Sequence, residues 1–577
     1  MYAIGKTRNH KAVGLTDIER SRHVHVVGST GTGKSKLLEH LIRQDIIAGR
    51  GLCLLDPHGT LADKVEQFCA LRNLGRLRRI HVLRPGDVSS VPGFNPLREV
   101  PGEALSVRID AMVAACAQAW NVRDLSETPR LERVVRVLFY ALAVRGLTLA
   151  EGPAFLRAGD PDGVRRVLTQ GLPDPMFQFM WDELNSLSRR EFAEQVESAM
   201  NRLARFLAAP SMRLVVGQRD RTMDFRRAMD EGEIILIDLG ATTQFSSENA
   251  RLLGTLIIND LFLTALGRDE ATAKRKPFSL YIDEAYDFLS GDIERVLDQT
   301  RKFGLHAVLA HQRLGQLRER GEGIYNAVMS ITNKIVLGGL ADEDAAVMTR
   351  EIMRGDIDLE RPKLAITTPV VIGEMPFWLE SESESESHSS GSLTTYNETT
   401  SLQVGETSSL SETFDGQEFV SSPSWAVQQS ITRSTGKSSA STTSSGSSTS
   451  SGTSNSWSRT RGRSQTMLSI REERPTTYYS LEESFHLAQS KLRNLPDRSA
   501  IIKRRGKSTV QVRIPDIKAM LDMPKTISRF RQTTSARSGY ISHIDAVNIE
   551  IEGRQRTMLG LRPESGEETF WHDDKPA

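Results

Sequence analysis

Gly28-Ser29-Thr30-Gly31-Thr32-Gly33-Lys34-Ser35 decides how the rest of this 577-residue chain is read. It fits the phosphate-loop pattern G-x-x-x-x-G-K-S/T at every fixed position. Its flanks fit too. His23-Val24-His25-Val26-Val27 is a short β-branched run that predicts a buried strand. From Lys34 to Ala48, Leu37, Leu38, Leu41, Ile42 and Ile46 fall on one side of a helix. Strand, glycine-rich turn and helix turn backbone N–H groups into an anion cradle, and the helix dipole adds to it. Gly28, Ser29, Thr30, Gly31, Thr32, Gly33, Lys34, Ser35 and Lys36 are therefore the expected nucleotide-binding residues. Lys34 is expected to reach the β- and γ-phosphates of ATP, and the Ser35 hydroxyl to take one Mg²⁺ position.

A second stretch completes the chemistry. Phe278-Ser279-Leu280-Tyr281-Ile282 is an apolar strand that ends in Asp283-Glu284. Asp283 is expected to hold Mg²⁺ through water, and Glu284 to orient and deprotonate the attacking water. Another strand, Leu305 to Ala310, ends in His311-Gln312. Gln312 has two readings, a contact to the γ-phosphate or its water, and a plain polar strand end. Asp56, after Gly51-Leu52-Cys53-Leu54-Leu55, also has two: a ligand-edge carboxylate or the cap of the next turn and helix.

Composition bounds the rest. Lys+Arg total 74 and Asp+Glu 73, leaving a formal net charge of +1, so no global field steers the chain to nucleic acid or membrane. Any DNA surface must be local. Cys53, Cys69 and Cys116 lie among apolar neighbours without metal-ligand spacing and read as reduced core residues of a cytoplasmic protein. No window approaches the roughly 20 apolar residues that span a bilayer.

In chain order, residues 1–102 read as the first part of an α/β core. Residues 103–230 read as an all-α insertion, with helices such as Leu105–Ala119, Leu131–Val144 and Arg190–Ala208. Its arginines, among them Arg189, Arg190, Arg202 and Arg205, are solvated helix faces in one reading and a DNA channel lining in another. Residues 231–379 read as the second part of the core. Residues 380–465 collapse to Ser, Thr, Gly and Glu and are expected to be a disordered linker, with brief strands near Phe414–Val420. Residues 466–523 are expected to form a helix and a hairpin whose turn, Lys503-Arg504-Arg505-Gly506-Lys507, is a basic cluster that either touches phosphates or is a solvated tip. Residues 524–577 read as a polar tail with a strand pair near Val547–Leu561.

These pieces together resemble a known superfamily. Gly28–Ser35, Leu55-Asp56-Pro57-His58-Gly59, Tyr281-Ile282-Asp283-Glu284-Ala285, Arg301-Lys302-Phe303-Gly304, Gln312 and Thr332-Asn333-Lys334 follow the order seen in the HerA/FtsK superfamily. The likeness is closest to TraG/TraD-like coupling ATPases of conjugative type IV secretion and their HerA-like relatives. It spans about Thr16 to Ile372, with a weaker echo in Ser480–Asp516. The resemblance implies a RecA-like core with an inserted all-α domain, a homo-hexameric ring, and DNA driven through a central channel by ATP hydrolysis. It also implies that Arg301 is an arginine finger acting on a neighbouring subunit, with Arg22 as a second candidate. Relaxase or secretion components are the implied partners. The alternative is a cytosolic HerA-like ATPase that partners a nuclease or effector in DNA repair or phage defence. Coupling proteins usually begin with membrane-spanning helices; this chain shows none, so partners would have to recruit it to the inner membrane.

Overall fold

The computed structural model describes residues 2–87, 89–120, 122, 128–160, 163–243, 245–289, 293–353, 355–356, 362–389, 406–407, 432–433, 452–518, 520 and 523–560. The chain divides into two compact units, residues 1–357 with 485–577, and residues 358–484.

The first unit is built on one 11-stranded sheet. Its strands are β1 (Tyr2–Lys6), β2 (Ala12–Leu15), β3 (Val24–Val27), β4 (Gly51–Asp56) and β5 (Ile80–Leu83). After the short β6 (Ser90–Pro92) come β7 (Ile234–Asp238), β8 (Phe278–Ile282), β9 (Leu305–His311) and β10 (Lys334–Leu337). Two further short strands lie between residues 406 and 433, and two long ones are β11 (Pro362–Ser389) and β14 (Gly452–Tyr478); counting the short pair as β12 (Glu406–Thr407) and β13 (Thr432–Arg433), the last strands are β15 (Ser499–Lys503), β16 (Val510–Arg513) and β17 (Ile541–His543). The order across the main sheet is β2-β1-β16-β15-β10-β3-β9-β8-β4-β7-β5.

From β10 to β5 every neighbour is parallel. Strands buried on both faces read as mostly apolar runs, and β3, β4, β5, β8, β9 and β10 are buried at every position. β15 and β16 add antiparallel strands to this core, followed by β1 and β2. The hairpin expected near Lys503–Lys507 therefore forms, but as part of the main sheet rather than as a separate segment.

Between β6 and β7 the described residues form only helices, from Leu105–Ala119 to Phe225–Glu231. They share a hydrophobic core with one face of the sheet, through Trp181, Phe192, Phe206 and Met212. Several arginines of this insertion are held in ion pairs. Arg190 pairs with Glu194 at 3.0 Å, Arg205 with Glu248 at 2.7 Å and Arg226 with Asp230 at 2.9 Å.

Two expectations need correction. The expected polar tail Pro524–Ala577, with a strand pair near Val547–Leu561, is helical in its described part, residues 524–560. Helices span Pro524–Arg537 and Ile544–Met558. Val547, Ile551 and Arg554 recur at helical spacing and are buried, and Arg554 bonds Glu151 at 3.0 Å and the Gly217 carbonyl. The second concerns residues 380–389 and 452–463, two described parts of the expected linker. In the second unit β11 pairs antiparallel with β14 from Pro362↔Tyr478 to Ser389↔Gly452. A ladder of this kind is made by backbone groups, so Ser/Glu alternation does not prevent it. Residues 362–379, expected in the second part of the core, belong to this ladder and not to the 11-stranded sheet. The expectation for Phe414–Val420 lies outside the described residues.

Candidate nucleotide site at the sheet edge

Parallel α/β sheets open a crevice beyond the carboxyl ends of their strands. Here β3, β8 and β9 end together, with Val27 opposite His311 and Ile282 opposite Leu309. The expected site residues follow directly after those tips.

The loop after β3 closes on itself. Thr32 donates its backbone N–H and its hydroxyl to the Ser29 carbonyl, at 3.4 and 2.7 Å. A Cβ on Gly28 would lie 2.6 Å from the Cβ of Leu337, so the backbone approaches β10 as only glycine permits. Gly33 sits at φ 107° and starts the helix Lys34–Ile47. The first N–H groups of any helix have no partner within it. Here the helix starts just after the tip of β3, beside the crevice, a placement that suits phosphate.

Four expected residues meet around one carboxylate. Lys34 Nζ donates to Glu284 Oε1 at 2.6 Å. Gln312 Nε2 donates to the same oxygen at 2.7 Å. The Thr30 hydroxyl donates to Gln312 Oε1 at 2.8 Å, closing the chain of bonds back onto the loop. Asp283 Oδ1 lies 3.6 Å from Lys34 Nζ. Lys34 is 6% exposed and Glu284 4%. Burial raises the Asp283 carboxyl above its ordinary value, and Lys34 pulls it back. Glu284 adopts the left-handed region, φ 48° and ψ 52°, which costs a residue with a Cβ roughly 1–3 kcal/mol. The other carboxylate oxygen, Glu284 Oε2, is buried with no protein partner. An unpartnered, strained carboxylate beside a lysine calls for a functional explanation. Among the described residues no group of three or more His, Cys, Asp or Glu side chains could hold a metal on its own. Ser35 and Asp283 fit Mg²⁺ in the other common way, as one or two protein ligands that leave the remaining positions to phosphate and water.

His311 was missed by the sequence reading. Its Nδ1 meets the Arg313 carbonyl at 3.1 Å, and its Nε2 lies 2.6 Å from His25 Nε2 across the strand pair. Burial pushes His311 down to about 4 and His25 well below its ordinary range, so both rings are neutral near pH 7. The pair pins the tip of β9, and with it Gln312. A His three residues before the loop and another at a strand end carry no local signal; only strand pairing joins them.

Other expected residues stand apart. Asp56 takes its capping reading: Oδ2 accepts from the N–H of Leu61 and Ala62 at 2.7 and 2.9 Å, and Oδ1 from His58 at 3.0 Å. Arg301 is exposed in the turn before β9, at the opposite edge of the sheet from the loop. β9 is 7 residues long, or roughly 23 Å, so Arg301 does not join its own subunit's site. Arg22 precedes β3 at that same far edge. The basic turn at Lys503–Lys507 also lies there and is occupied: Lys503 pairs with Asp356 at 3.1 Å and Lys507 with Glu19 at 2.9 Å. Cys53, Cys69 and Cys116 are buried free thiols. No helix among the described residues is long and apolar enough to cross a membrane.

No protein-family model matches the chain, and no curated protein matches its sequence. Solved structures do match. The plasmid coupling protein TrwB, in complex with the non-hydrolysable GTP analogue GDPNP, is 15% identical over 91% of this chain and 92% of its own, with a TM-score of 0.50. The unbound monoclinic form of the bacterial conjugative coupling protein TrwBdeltaN70 is 16% identical over 91% of each chain, at a TM-score of 0.49. VirB4 of Thermoanaerobacter pseudethanolicus is 18% identical over 60% of this chain and 87% of its own, at 0.40. The latter two overlay too loosely to decide anything. At such low identity the first establishes architecture alone: the chain has the α/β, RecA-like phosphate-loop fold of the coupling protein TrwB.

Proposed function

We propose that the chain is an ATPase of the type IV secretion coupling type, which hydrolyses ATP in a hexameric ring and thereby moves DNA. The observation that carries this reading is the convergence of Lys34 and Gln312 on Glu284, with Thr30 of the loop bonded to Gln312. A fold shared with a protein solved around a nucleoside triphosphate analogue supports it.

The protein's own groups divide the work. Lys34 is held by Glu284 and is the natural cation for the β- and γ-phosphates. When phosphate takes Lys34, Glu284 loses its strongest partner and becomes free to accept a proton from water. Its orphaned Oε2 already faces no protein donor. Gln312 then keeps the carboxylate oriented and is within reach of the water or the γ-phosphate. Mg²⁺ held by Ser35 and through Asp283 would neutralise charge on the phosphate oxygens. The resting hydrogen bonds thus hold the base idle until nucleotide arrives.

Arg301 and Arg22 share the edge opposite the loop, which neither can reach within its subunit. A guanidinium so placed serves a phosphate only across an interface, which is what a closed ring supplies. The direct test measures ATP hydrolysis and particle mass together, with and without DNA. The reading expects a mass near six chains and a rate raised by DNA. A monomer whose ATPase ignores single- and double-stranded DNA alike would sink the motor.

A further inference from the structure

A remote segment of the chain forms one wall of the phosphate loop. Residues 493–498 come just before β15, after the whole second unit has intervened. The Arg498 N–H donates to the Thr32 carbonyl at 2.9 Å, and its own carbonyl accepts from Ile514 at 2.7 Å. Its Cγ would lie 3.3 Å from a Cβ placed on Gly33. The Arg493 carbonyl accepts from Gly339, beside Ser29. Farther along, Lys36 Nζ reaches the Ile517 carbonyl at 3.3 Å. Arg498 has φ 61°, so it shares with Glu284 the left-handed backbone that side chains rarely adopt. The two flank the cradle, one at Lys34 and one at Gly33.

The Arg498 side chain is built for exchange. It is 29% exposed, and Nη1 contacts Asp516 at 2.7 Å, a carboxylate that is itself 69% exposed. A solvated single-contact pair contributes little by itself. A guanidinium has further donors, in a planar fork that suits phosphate. Its backbone is held by one hydrogen bond to the loop at Thr32 and one from Ile514, so the head group swings near the start of the helix Lys34–Ile47 without leaving it.

We propose that Arg498 is a nucleotide-binding residue, taking an oxygen on the α/β-phosphate side of the bound nucleotide while Asp516 holds the guanidinium ready. The proposal rests on the nucleotide reading of the loop. The side is set by placement: Lys34, Glu284 and Gln312 occupy the γ end, whereas Arg498 is bonded to Ile514, and the segment after β16 runs on from there to Ile517, whose carbonyl Lys36 Nζ reaches along the first turn of the helix, where backbone N–H groups receive α- and β-phosphates.

The test uses the full chain and fluorescent ADP and ATP analogues in an equilibrium titration. Arg498→Gly keeps the backbone relaxed at φ 61°, so folding survives, and thermal melts without nucleotide check this. We expect about tenfold weaker binding of ADP and ATP alike, the scale of one charge-assisted hydrogen bond. Arg498→Lys should recover part of the loss, and Asp516→Asn should bind each nucleotide at least as tightly as the native chain. Loss confined to ATP would place Arg498 at the γ-phosphate and overturn the α/β assignment. Unchanged affinity in Arg498→Gly would overturn the proposal altogether. Lys34→Ala separates the two failures: if it too binds normally, the loop is not the nucleotide site; if it alone loses binding, the loop reading stands and Arg498 is structural.

Discussion

Two buried lysines, Lys34 and Lys334, sit at opposite ends of the same parallel strands, and their partners differ in kind. Lys334 is 4% exposed and donates to the carbonyls of Met329 at 2.8 Å and Ile331 at 2.7 Å and to Glu351 at 2.9 Å. Its neighbour Asn333 donates to the Glu19 and His23 carbonyls at 2.6 and 3.0 Å. Close by, Arg20 grips Asp45 in a two-pronged pair at 2.8 and 2.6 Å, and Tyr281 donates to Asp45 at 2.6 Å. Backbone carbonyls cannot leave, so a lysine satisfied by them is a fixture. Lys34 has only side-chain carboxylates, one of them strained and half unsatisfied. Such partners can release it to a phosphate. Burial alone therefore does not mark a functional lysine; the exchangeability of its partners does.

The largest expected effect separates these lysines. Lys34→Met should abolish detectable nucleotide binding and hydrolysis. Lys334→Met should leave affinity intact in the folded protein and lower stability by about 3 kcal/mol, because buried carbonyls lose their donor. Denaturant melts and nucleotide titrations on both variants decide it. Equal losses of binding would erase the contrast.

Next comes Arg301, on the fixture end but exposed and without an ion pair among the described residues. If it serves a neighbour, Arg301→Ala should slow hydrolysis by ~10³ while binding persists. Mixing it with Lys34→Ala in exchanging subunits should restore some activity, since some interfaces then pair an intact loop with an intact arginine. No recovery from a monomeric wild type would remove both the finger and the ring.

Glu284→Gln should bind nucleotide yet turn over at least ~10² more slowly, the lower range for a lost general base. A wild-type rate would show that the orphaned oxygen has no catalytic role.

A smaller effect is expected with pH. His311 is held at about 4 against an ordinary value near 6.5, so the unfolded chain takes up its proton first. Stability is complete above about 6.5 and is lost as pH falls through about 4, on the order of 3 kcal/mol for this group. His25 acts in the same direction. Melting temperature against pH for the native chain and His311→Gln should therefore converge in acid; parallel curves would contradict the burial argument. The least effect is expected from excising residues 390–451 and joining the ends with a short flexible linker. Their composition offers little apolar surface to bury. ATPase activity should stay within twofold, and a loss of folded protein would show that the stretch is structural.

Much of the fold and site was legible because its determinants are local. A β-branched run, three glycines, a lysine and an amphipathic helix specify the loop at residues 24–47 without help from elsewhere. An apolar strand ending in Asp283-Glu284 likewise announces itself, as does the helical spacing between residues 105 and 231. Asp56 shows the limit. The sequence placed it at a strand tip, but capping and ligand edge look alike until the N–H groups of Leu61 and Ala62 are seen on it. The helix Ile544–Met558 shows another, since Val547 and Ile551 sit in a mostly polar stretch and reveal their face only against Glu151 and Gly217.

By itself, then, the sequence singled out the candidate phosphate-binding residues, because each sits in a short stretch whose backbone is dictated by its own side chains. It could not determine which of them touch. Strand order brought Gln312 to Glu284, paired His25 with His311, sent Arg301 to the far edge and carried Arg498 back to Gly33 across the second unit. Those are contacts between residues separated by tens to hundreds of positions. No local propensity encodes them; they follow from how the parallel strands choose their neighbours when their apolar faces are buried together.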